Sequence, residues 1–370
     1  MTTQELDATP VEIRPAERDA TIDVLKGIGI VVVAMGHIDF TPIGGSLDIY
    51  LYTFNVPLFF IVAGYMWRPK PGVSIWRAVQ RRFRQIYVPY VVLFVVSLLY
   101  GNLVYRHLFH QEVIPFDFQA TVKAFVFASD WLNTVPTFNF ALWFLPIFLI
   151  TSVAFQFLQK IGNVWVYLVV LAFLFVASYP VELLLPGRPV LNINVLPVGL
   201  VLMGCGHLLR RFVPLDRVPV VIYPILLVFT LAVTMWAPGN ISGMGSYLFV
   251  PSALASFVIY LGIAQQLRSS SWLAYVGINS LIVFGIHGLV ANTYQFTHIP
   301  GFLDRHWNGA LVYVINLGYV LVGSVLVVAG FRAARRGVGS LMLSLPHRQA
   351  AGPEAHDEPS IVDGRGTGVA

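Results

Sequence analysis

The chain has 370 residues, of which 57% are hydrophobic and only 11% charged, and its mean hydropathy is +0.74. This composition excludes an ordinary soluble domain and predicts a protein that crosses a membrane several times. The 23 basic and 18 acidic residues leave a net charge of +5, but the basic residues lie in short segments between apolar runs, which argues against a nucleic-acid-binding surface.

Ten apolar runs are each long enough, at about 17 to 25 residues, to cross a hydrocarbon core of roughly 30 Å as a helix. They cover residues 21–38, 48–67, 86–105, 140–159, 163–180, 191–209, 218–236, 247–266, 272–291 and 309–331. We therefore predict an all-α, polytopic transmembrane helix bundle of about ten spans. The membrane domain would comprise residues 20–335, between a tail of residues 1–19 and a tail of residues 336–370, whose composition predicts disorder.

Arginine and lysine collect at one set of span ends in this arrangement. The residues concerned are Arg14, Arg18, Arg68, Lys70, Arg77, Arg81, Arg82, Arg84, Lys160, Arg210, Arg211, Arg217, Arg268, Arg332, Arg335 and Arg336. Basic residues mark the cytoplasmic side of a membrane protein, so both termini are expected in the cytoplasm, with the bundle in the cell inner or plasma membrane. An additional span at residues 118–132 would break this pattern, and we expect that segment to be re-entrant or to lie on the surface.

The first apolar run, within "RDATIDVLKGIGIVVVAMGHIDF" (residues 18–40), carries Asp23, Lys26 and His37. At about 100° per residue, a helix places His37 within about 20° of Lys26 and about 40° of Asp23, so the three share one face. Asp23 and Lys26 are close enough in sequence to pair near the inner end, and His37 lies about 16 Å further along. The run therefore predicts a polar stripe from the inner mouth to the outer half of the membrane.

These three residues also have purely structural explanations. Asp23 and Lys26 can form an interfacial ion pair, with the Lys26 side chain reaching the headgroups, and His37 can be satisfied by a neighbouring helix. Ionisable side chains at membrane depth mark functional sites, so we favour a site at His37 and leave the pair open.

The second and ninth runs carry polar residues at similar depth. In "FNVPLFFIVAGYM", Asn55 and Pro57 interrupt the apolar run, and proline frees a backbone carbonyl, which fits either a kinked helix lining a cavity or a simple packing kink. In "GINSLIVFGIHGLV", His287 is expected at the level of His37, because both lie about 15 or 16 residues into spans of the same direction. Ser280 lies seven residues before His287, on the same helix face. It is either part of the site or a small polar residue that packs against a neighbouring helix.

Two classes of function are compatible with these features. One is a secondary transporter or flippase for a glycan or small metabolite that uses the intramembrane Asp23, Lys26 and His37 stripe. The other is an intramembrane transferase with a histidine as general base. The sequence has no cluster of metal-binding residues and no nucleotide-binding glycine loop in a suitable context.

Five segments in chain order resemble the acyltransferase type 3 family, which comprises integral membrane O-acyltransferases including bacterial polysaccharide and fucose O-acetylases. The first is a basic residue, ten intervening residues and a histidine, here Lys26 and His37 in "IDVLKGIGIVVVAMGH". The others are "FNVPLFFIVAGYMW", "RRFRQIYVPY", "LWFLPIFL" and "GINSLIVFGIH". The resemblance covers about residues 18–335, and many members have arginine at the position of Lys26.

The resemblance implies that an acyl group, usually acetyl, is transferred from cytoplasmic acyl-coenzyme A to a hydroxyl of a glycan or lipid-linked sugar. Acetyl-CoA would be a donor substrate and no permanently bound cofactor or metal is implied. The phosphates of the coenzyme need cationic partners, which we expect to be Lys26, paired with Asp23, together with Arg82 and Arg84. The alternative for the basic residues at the inner mouth is a topology signal alone, which we favour for Arg68 and Lys70.

His37 is the expected general base, because an imidazole can take the proton of a sugar hydroxyl as it attacks the thioester. His287 and Asn55 are further candidates for the catalytic group, and Asn55 has an amide that can donate to the tetrahedral oxyanion. Trp143 and Ser280 are candidate substrate-lining residues, although tryptophan is also common at membrane interfaces. The sequence leaves the acceptor sugar, the acyl length and the oligomeric state open.

Overall fold

The computed structural model describes residues 19–38, 45–69, 72–108, 116–128, 135, 139–214, 218–295, 297 and 299–344. Residues up to Val328 form one compact unit, and a second unit begins at Ala329, of which the helical residues 329–344 are described. The described residues are helical apart from loops and one isolated β-bridge between Asn240 and Gly243. The α-helices are α1 (Ala20–Met35), α2 (Gly45–Phe54), α3 (Pro57–Tyr65), α4 (Ile75–Leu99), α5 (Arg106–Leu108), α6 (Phe118–Phe127), α7 (Phe144–Leu158), α8 (Val164–Leu184), α9 (Val195–Phe212), α10 (Ile222–Trp236), α11 (Phe249–Gln266), α12 (Ser271–Ile278), α13 (Ser280–Gln295), α14 (Ile299–His306) and α15 (Gly309–Ser344).

Six helical segments of the described chain are long and apolar enough to cross a membrane, or seven if one bent pair forms a single span. The six are Ile75–Val104, Ala141–Leu158, Val164–Leu184, Val190–Phe212, Phe249–Gln266 and Gly309–Ala333. The protein is therefore an all-helical, multi-pass membrane protein. The predicted first, second and seventh spans coincide with shorter or broken helices, so helix length does not confirm the count of ten. The cytoplasmic position of both termini stays a prediction.

The bent pair consists of α12 and α13, which meet at an angle of 89°. The prediction of one continuous helix over residues 272–291 is wrong, because Asn279 ends one helix and begins the next. Its side-chain Nδ2 donates to the Tyr275 carbonyl at 2.7 Å, while its own carbonyl accepts from the N–H groups of Ile282 and Val283 at 2.9 and 3.0 Å. Such side-chain capping competes with helix continuation, and hydropathy cannot reveal it inside an apolar run.

Helix α1 is the central helix of the bundle and is buried along most of its length. It packs very closely against α12, where Gly27 lies on the backbone of Leu273 and Gly277 lies on the backbone of Asp23. Neither glycine has room for a Cβ. Two membrane helices can approach this closely only where the residues between them are small. This contact fixes the start of α1, and with it Asp23 and Lys26.

The segment at residues 118–132 contains α6, a helix of 10 residues. At 1.5 Å per residue this is about 15 Å, which is too short to cross the membrane. Helix α6 is attached to α4, because the Tyr90 hydroxyl donates to the Phe125 carbonyl at 2.6 Å and the two rings stack at 5.4 Å. A re-entrant or surface-lying segment remains the interpretation, and residues 129–132 lie outside the described residues.

Candidate active site

A cavity of about 970 Å³ opens beside the first turns of α1 and is walled by α1, α3, α4, α7 and α13. Its lining is strongly cationic, with seven basic residues against the two carboxylates of Asp19 and Asp23. The basic residues are Lys26, Arg68, Arg77, Arg81, Arg82, Lys160 and Arg210. Concentrated positive charge in a concave site raises the local concentration of anionic ligands, so the cavity is suited to a multiply charged anion.

The inner part of the cavity changes from cationic to aromatic. Phe59, Phe144, Phe148 and Phe284 line it and pack on one another, with ring centroids 5.0 Å apart for Phe144 against both Phe148 and Phe284. The break between α2 and α3 places Phe59 here, since α3 begins at Pro57 and presents Phe59, Val62 and Ala63 to the cavity. Of the two interpretations of the Asn55 and Pro57 interruption, the structure supports a broken helix that lines a cavity.

Two histidines lie beyond this aromatic layer. The His287 ring lies 5.6 Å from that of Phe284 and stacks on His37 with centroids 5.3 Å apart and planes inclined by 25°. The sequence-based expectation that the two imidazoles lie at one level agrees with this contact. His287 is 1% exposed, and its Nδ1 lies 2.5 Å from the Phe284 carbonyl. A carbonyl only accepts, so Nδ1 of His287 carries the proton and Nε2 the lone pair.

The environment of His37 indicates which of its ring nitrogens carries the proton and which carries the lone pair. Tyr52 donates its hydroxyl hydrogen to the Gly36 carbonyl at 2.7 Å, and the same hydroxyl lies 3.3 Å from Nδ1 of His37. A phenol has one hydrogen, so Nδ1–H of His37 donates to the Tyr52 oxygen. The lone pair is then on Nε2, and Tyr52 holds the ring in that tautomer.

Asn55 lies at the break between α2 and α3, next to the turn that carries His37. The residue is 1% exposed, and its Oδ1 accepts the Val56 N–H at 2.7 Å. Its Nδ2 is fully buried without a hydrogen-bond partner among the described residues, and a Cβ on Gly36 would lie 3.6 Å from it. A buried amide donor without a partner is costly, which makes Nδ2 a candidate donor to a ligand oxygen near His37.

The predicted polar stripe is divided between two places. Asp23 and Lys26 pair with Nζ and Oδ1 2.8 Å apart, and both line the cavity. His37 does not line it, because α1 ends at Met35 and His37 lies in the following turn, beyond the aromatic layer. The helix predicted over residues 21–38 thus ends earlier, at Met35, and the two halves of the stripe are separated along the axis of α1.

The remaining predicted residues are distributed around the cavity. Arg82 and Ser280 line it, whereas Arg84 is exposed and is not among the lining residues. Arg68 was assigned to topology alone, yet it is part of the lining. Trp143 lies at the start of α7, at the end of that helix away from Lys160. Its side chain is 8% exposed, and the guanidinium of Arg188 lies over its ring at 5.4 Å.

Several residues of the candidate site were not predicted from the sequence. Arg77, Lys160 and Arg210 look like any other basic residue beside an apolar run, and only their convergence on one cavity distinguishes them. Arg210 is fixed by donating to the Tyr65 carbonyl at 3.0 Å. Tyr52 could have been predicted as a site residue, since it lies three residues before Asn55 on the same helix face. The described residues contain no group of three or more His, Cys, Asp or Glu that could hold a metal ion.

These features define an integral membrane protein with a cationic cavity, partly lined by phenylalanines, one of which contacts a stacked histidine pair. The acyltransferase 3 family model, described as an acyltransferase domain, matches residues 19–329. The chain therefore belongs to the acyltransferase 3 family and is an acyltransferase with several membrane helices. No curated protein and no solved structure matches the chain.

Proposed function

We propose that the protein is an O-acyltransferase that transfers an acyl group, acetyl in the simplest case, from cytoplasmic acyl-CoA to a hydroxyl of a glycan or lipid-linked sugar. The observation that carries this proposal is the sequence of environments along one path. Seven cations line the cavity, four phenylalanines line its inner part, and His37 and His287 lie directly beyond.

The cavity matches the chemistry of coenzyme A along this path. The nucleotide end of the coenzyme carries a diphosphate and a further phosphate, for which Arg77, Arg81, Arg82 and Arg210 supply guanidinium donors. The pantetheine arm, less polar than the nucleotide, fits the aromatic layer. The thioester would then lie next to Phe284, close to the histidine pair.

The geometry supports a direct transfer with His37 as general base. Nε2 of His37 takes the proton of the acceptor hydroxyl while the hydroxyl oxygen attacks the thioester carbonyl carbon. The tetrahedral oxyanion accepts a hydrogen bond from Nδ2 of Asn55. The intermediate collapses, the carbon–sulfur bond breaks, and the coenzyme thiolate takes the proton from the imidazolium. The products are the ester and free coenzyme A, and His37 is neutral again.

The proposal also assigns a direction to the reaction. The cavity opens where the basic residues collect, which would be the cytoplasmic side of a cell inner or plasma membrane. His37 lies 11 residues beyond Lys26, in the turn that follows the end of α1 at Met35. Donor and acceptor would thus approach the histidine pair from opposite sides.

The test uses the purified protein in lipid vesicles, with isothermal titration of acetyl-CoA and the release of free coenzyme A as readouts. A lost charged hydrogen bond costs about 1.5–3 kcal/mol, so Arg82→Gln should weaken acetyl-CoA binding about tenfold or more. Arg84→Gln is the matched control, because Arg84 lies on the same helix outside the cavity lining. Its effect should stay below about threefold, the scale of an exposed charge. Failure of the wild type to bind acetyl-CoA, or equal effects of the two variants, would contradict the proposal.

A further inference from the structure

Arg188 is a cation that the donor site does not use. It lies between the end of α8 and the 3-10 turn at Val190–Asn192, and its side chain is half-buried. Its guanidinium carbon lies 5.4 Å from the centre of the Trp143 ring. Among the described residues it makes no hydrogen bond and no ion pair with a carboxylate, so its five N–H donors are available to a ligand on the sides away from Trp143.

The loop that carries Arg188 is held in a costly conformation. Leu191 and Asn192 have φ angles of 55° and 52°, in the left-handed region that non-glycine residues avoid, at a cost of about 1–3 kcal/mol each. Side chains fix this conformation, since Nδ2 of Asn194 donates to the Gly187 carbonyl at 3.3 Å and Nδ2 of Asn192 to the Ala128 carbonyl at 2.7 Å. The fold thus gives Arg188 a defined position.

Arg188 lies at the end of the bundle opposite the cationic cavity. Helix α7 begins just after Trp143, carries Phe144 and Phe148 in the aromatic part of the cavity, and ends beside Gln159 and Lys160 in its basic part. Helix α8 then returns over 21 residues, about 31 Å, to the loop of Arg188. The Trp143 ring under Arg188 contacts Phe144 with centroids 6.3 Å apart, and Phe144 packs on Phe284, which contacts His287. A short chain of ring contacts therefore connects Arg188 with the histidine pair.

We propose that Arg188, supported by the face of Trp143, binds an anionic oxygen group, a carboxylate or phosphate, of the acceptor whose hydroxyl is acylated at His37. A guanidinium fork matches both groups in two parallel hydrogen bonds. The aromatic face beneath stabilises the cation without consuming its in-plane donors. The seven basic residues of the cavity can bind the phosphates of the donor, and Arg188 is not one of them. Arg188 is therefore available to bind the other substrate, the acceptor. The inference rests on the proposed function and narrows its acceptor to acidic sugars or sugar phosphates.

The test measures binding, independently of turnover, to the full-length protein in lipid nanodiscs. The probes are methyl glucuronide for the carboxylate, glucose 6-phosphate for the phosphate, and methyl glucoside as the neutral match. The wild type should bind at least one anionic probe about tenfold more tightly than methyl glucoside, as a charged hydrogen bond predicts. The preferred anionic probe distinguishes carboxylate from phosphate.

Arg188→Gln should abolish this preference, and Arg188→Lys, which keeps the charge without the fork, should retain part of it. Arg106→Gln is the matched control, an exposed arginine that follows α4 at the same end of the bundle, and it should keep the wild-type preference. A wild type without preference, including one that binds none of the probes, or a preference that survives in Arg188→Gln, overturns the proposal. Acetyl-CoA titration of the same samples reports separately on the donor site, so the two proposals fail by different results.

Discussion

His37 and His287 stack face to face with centroids 5.3 Å apart, although in the sequence His37 lies near the start of the membrane domain and His287 towards its end. The contact depends on two interruptions, the end of α1 at Met35 and the break between α12 and α13 at Asn279. Helix α13 then runs from Ser280 at the cavity to His287, a rise of about 10 Å over seven residues. One short helix therefore connects the donor cavity with the histidine pair.

Replacement of His37 by alanine should abolish acyl transfer while acetyl-CoA still binds. Loss of a positioned general base lowers turnover by about 10²–10⁴-fold, and His37 is not part of the cavity lining that would bind the coenzyme. Acceptor-dependent release of coenzyme A gives the rate, and isothermal titration gives the donor affinity. His107→Ala, at an exposed position, is the control with normal transfer. Full transfer by His37→Ala would remove His37 from the role of base.

Tyr52→Phe tests how His37 is held. Phenylalanine keeps the ring but removes the hydroxyl that bonds the Gly36 carbonyl and meets Nδ1 of His37. The imidazole can then adopt the wrong tautomer. Hydrogen-bond partners that orient histidines in metal sites are worth about 10- to 100-fold in activity, which sets the scale expected for Tyr52. We expect kcat to fall by that factor with KM for acetyl-CoA unchanged.

A purely structural role for Tyr52 gives a different pattern. The protein would lose thermal stability, and kcat per folded molecule would stay at the wild-type value. Unfolding curves in detergent, measured beside the kinetics, separate the two cases.

The helical architecture could be predicted from the sequence, and His37 and His287 could be predicted as candidate site residues. Long apolar runs give membrane helices because backbone groups in lipid must be satisfied internally. His37 and His287 stood out because a polar group at membrane depth is costly, and the structure brings the two rings into contact. The order of segments around them was sufficient for the resemblance to the acyltransferase type 3 family.

The break at Asn279 and the convergence of charges could not be predicted. The break at Asn279 depends on one side chain capping a helix inside an apolar run, which leaves the hydropathy unchanged. Arg68 and Arg84 look alike in sequence, but only Arg68 lines the cavity. Which arginines converge depends on how helices pack, and that depends on contacts such as the one between Gly277 and Asp23.

Asn55→Ala tests the oxyanion donor. Removal of one such donor costs about 10²–10³-fold in kcat in other acyl-transfer enzymes. Asn55→Ser, which keeps a shorter donor, should recover part of that loss. Asn102→Ala is the control, since the Asn102 amide is half-buried and bonds only locally to the Leu98 carbonyl. Equal kcat for Asn55→Ala and wild type would show that Nδ2 does not contact the reacting oxygen.

Gly277→Ala should destabilise the bundle at the contact between α12 and α1. A methyl group at this position would overlap the backbone of Asp23, so the helices must separate, and overpacking of this kind costs about 1–3 kcal/mol or more. The expected result is a lower unfolding temperature in detergent and weaker acetyl-CoA binding, because Asp23 and Lys26 move with α1. Gly318→Ala is the matched control in α15, where a Cβ meets nothing within 4 Å. Alanine is the better helix former by about 1 kcal/mol, so this variant should be as stable as the wild type or more stable. Equal unfolding temperatures for the two variants would contradict the close approach of α1 and α12.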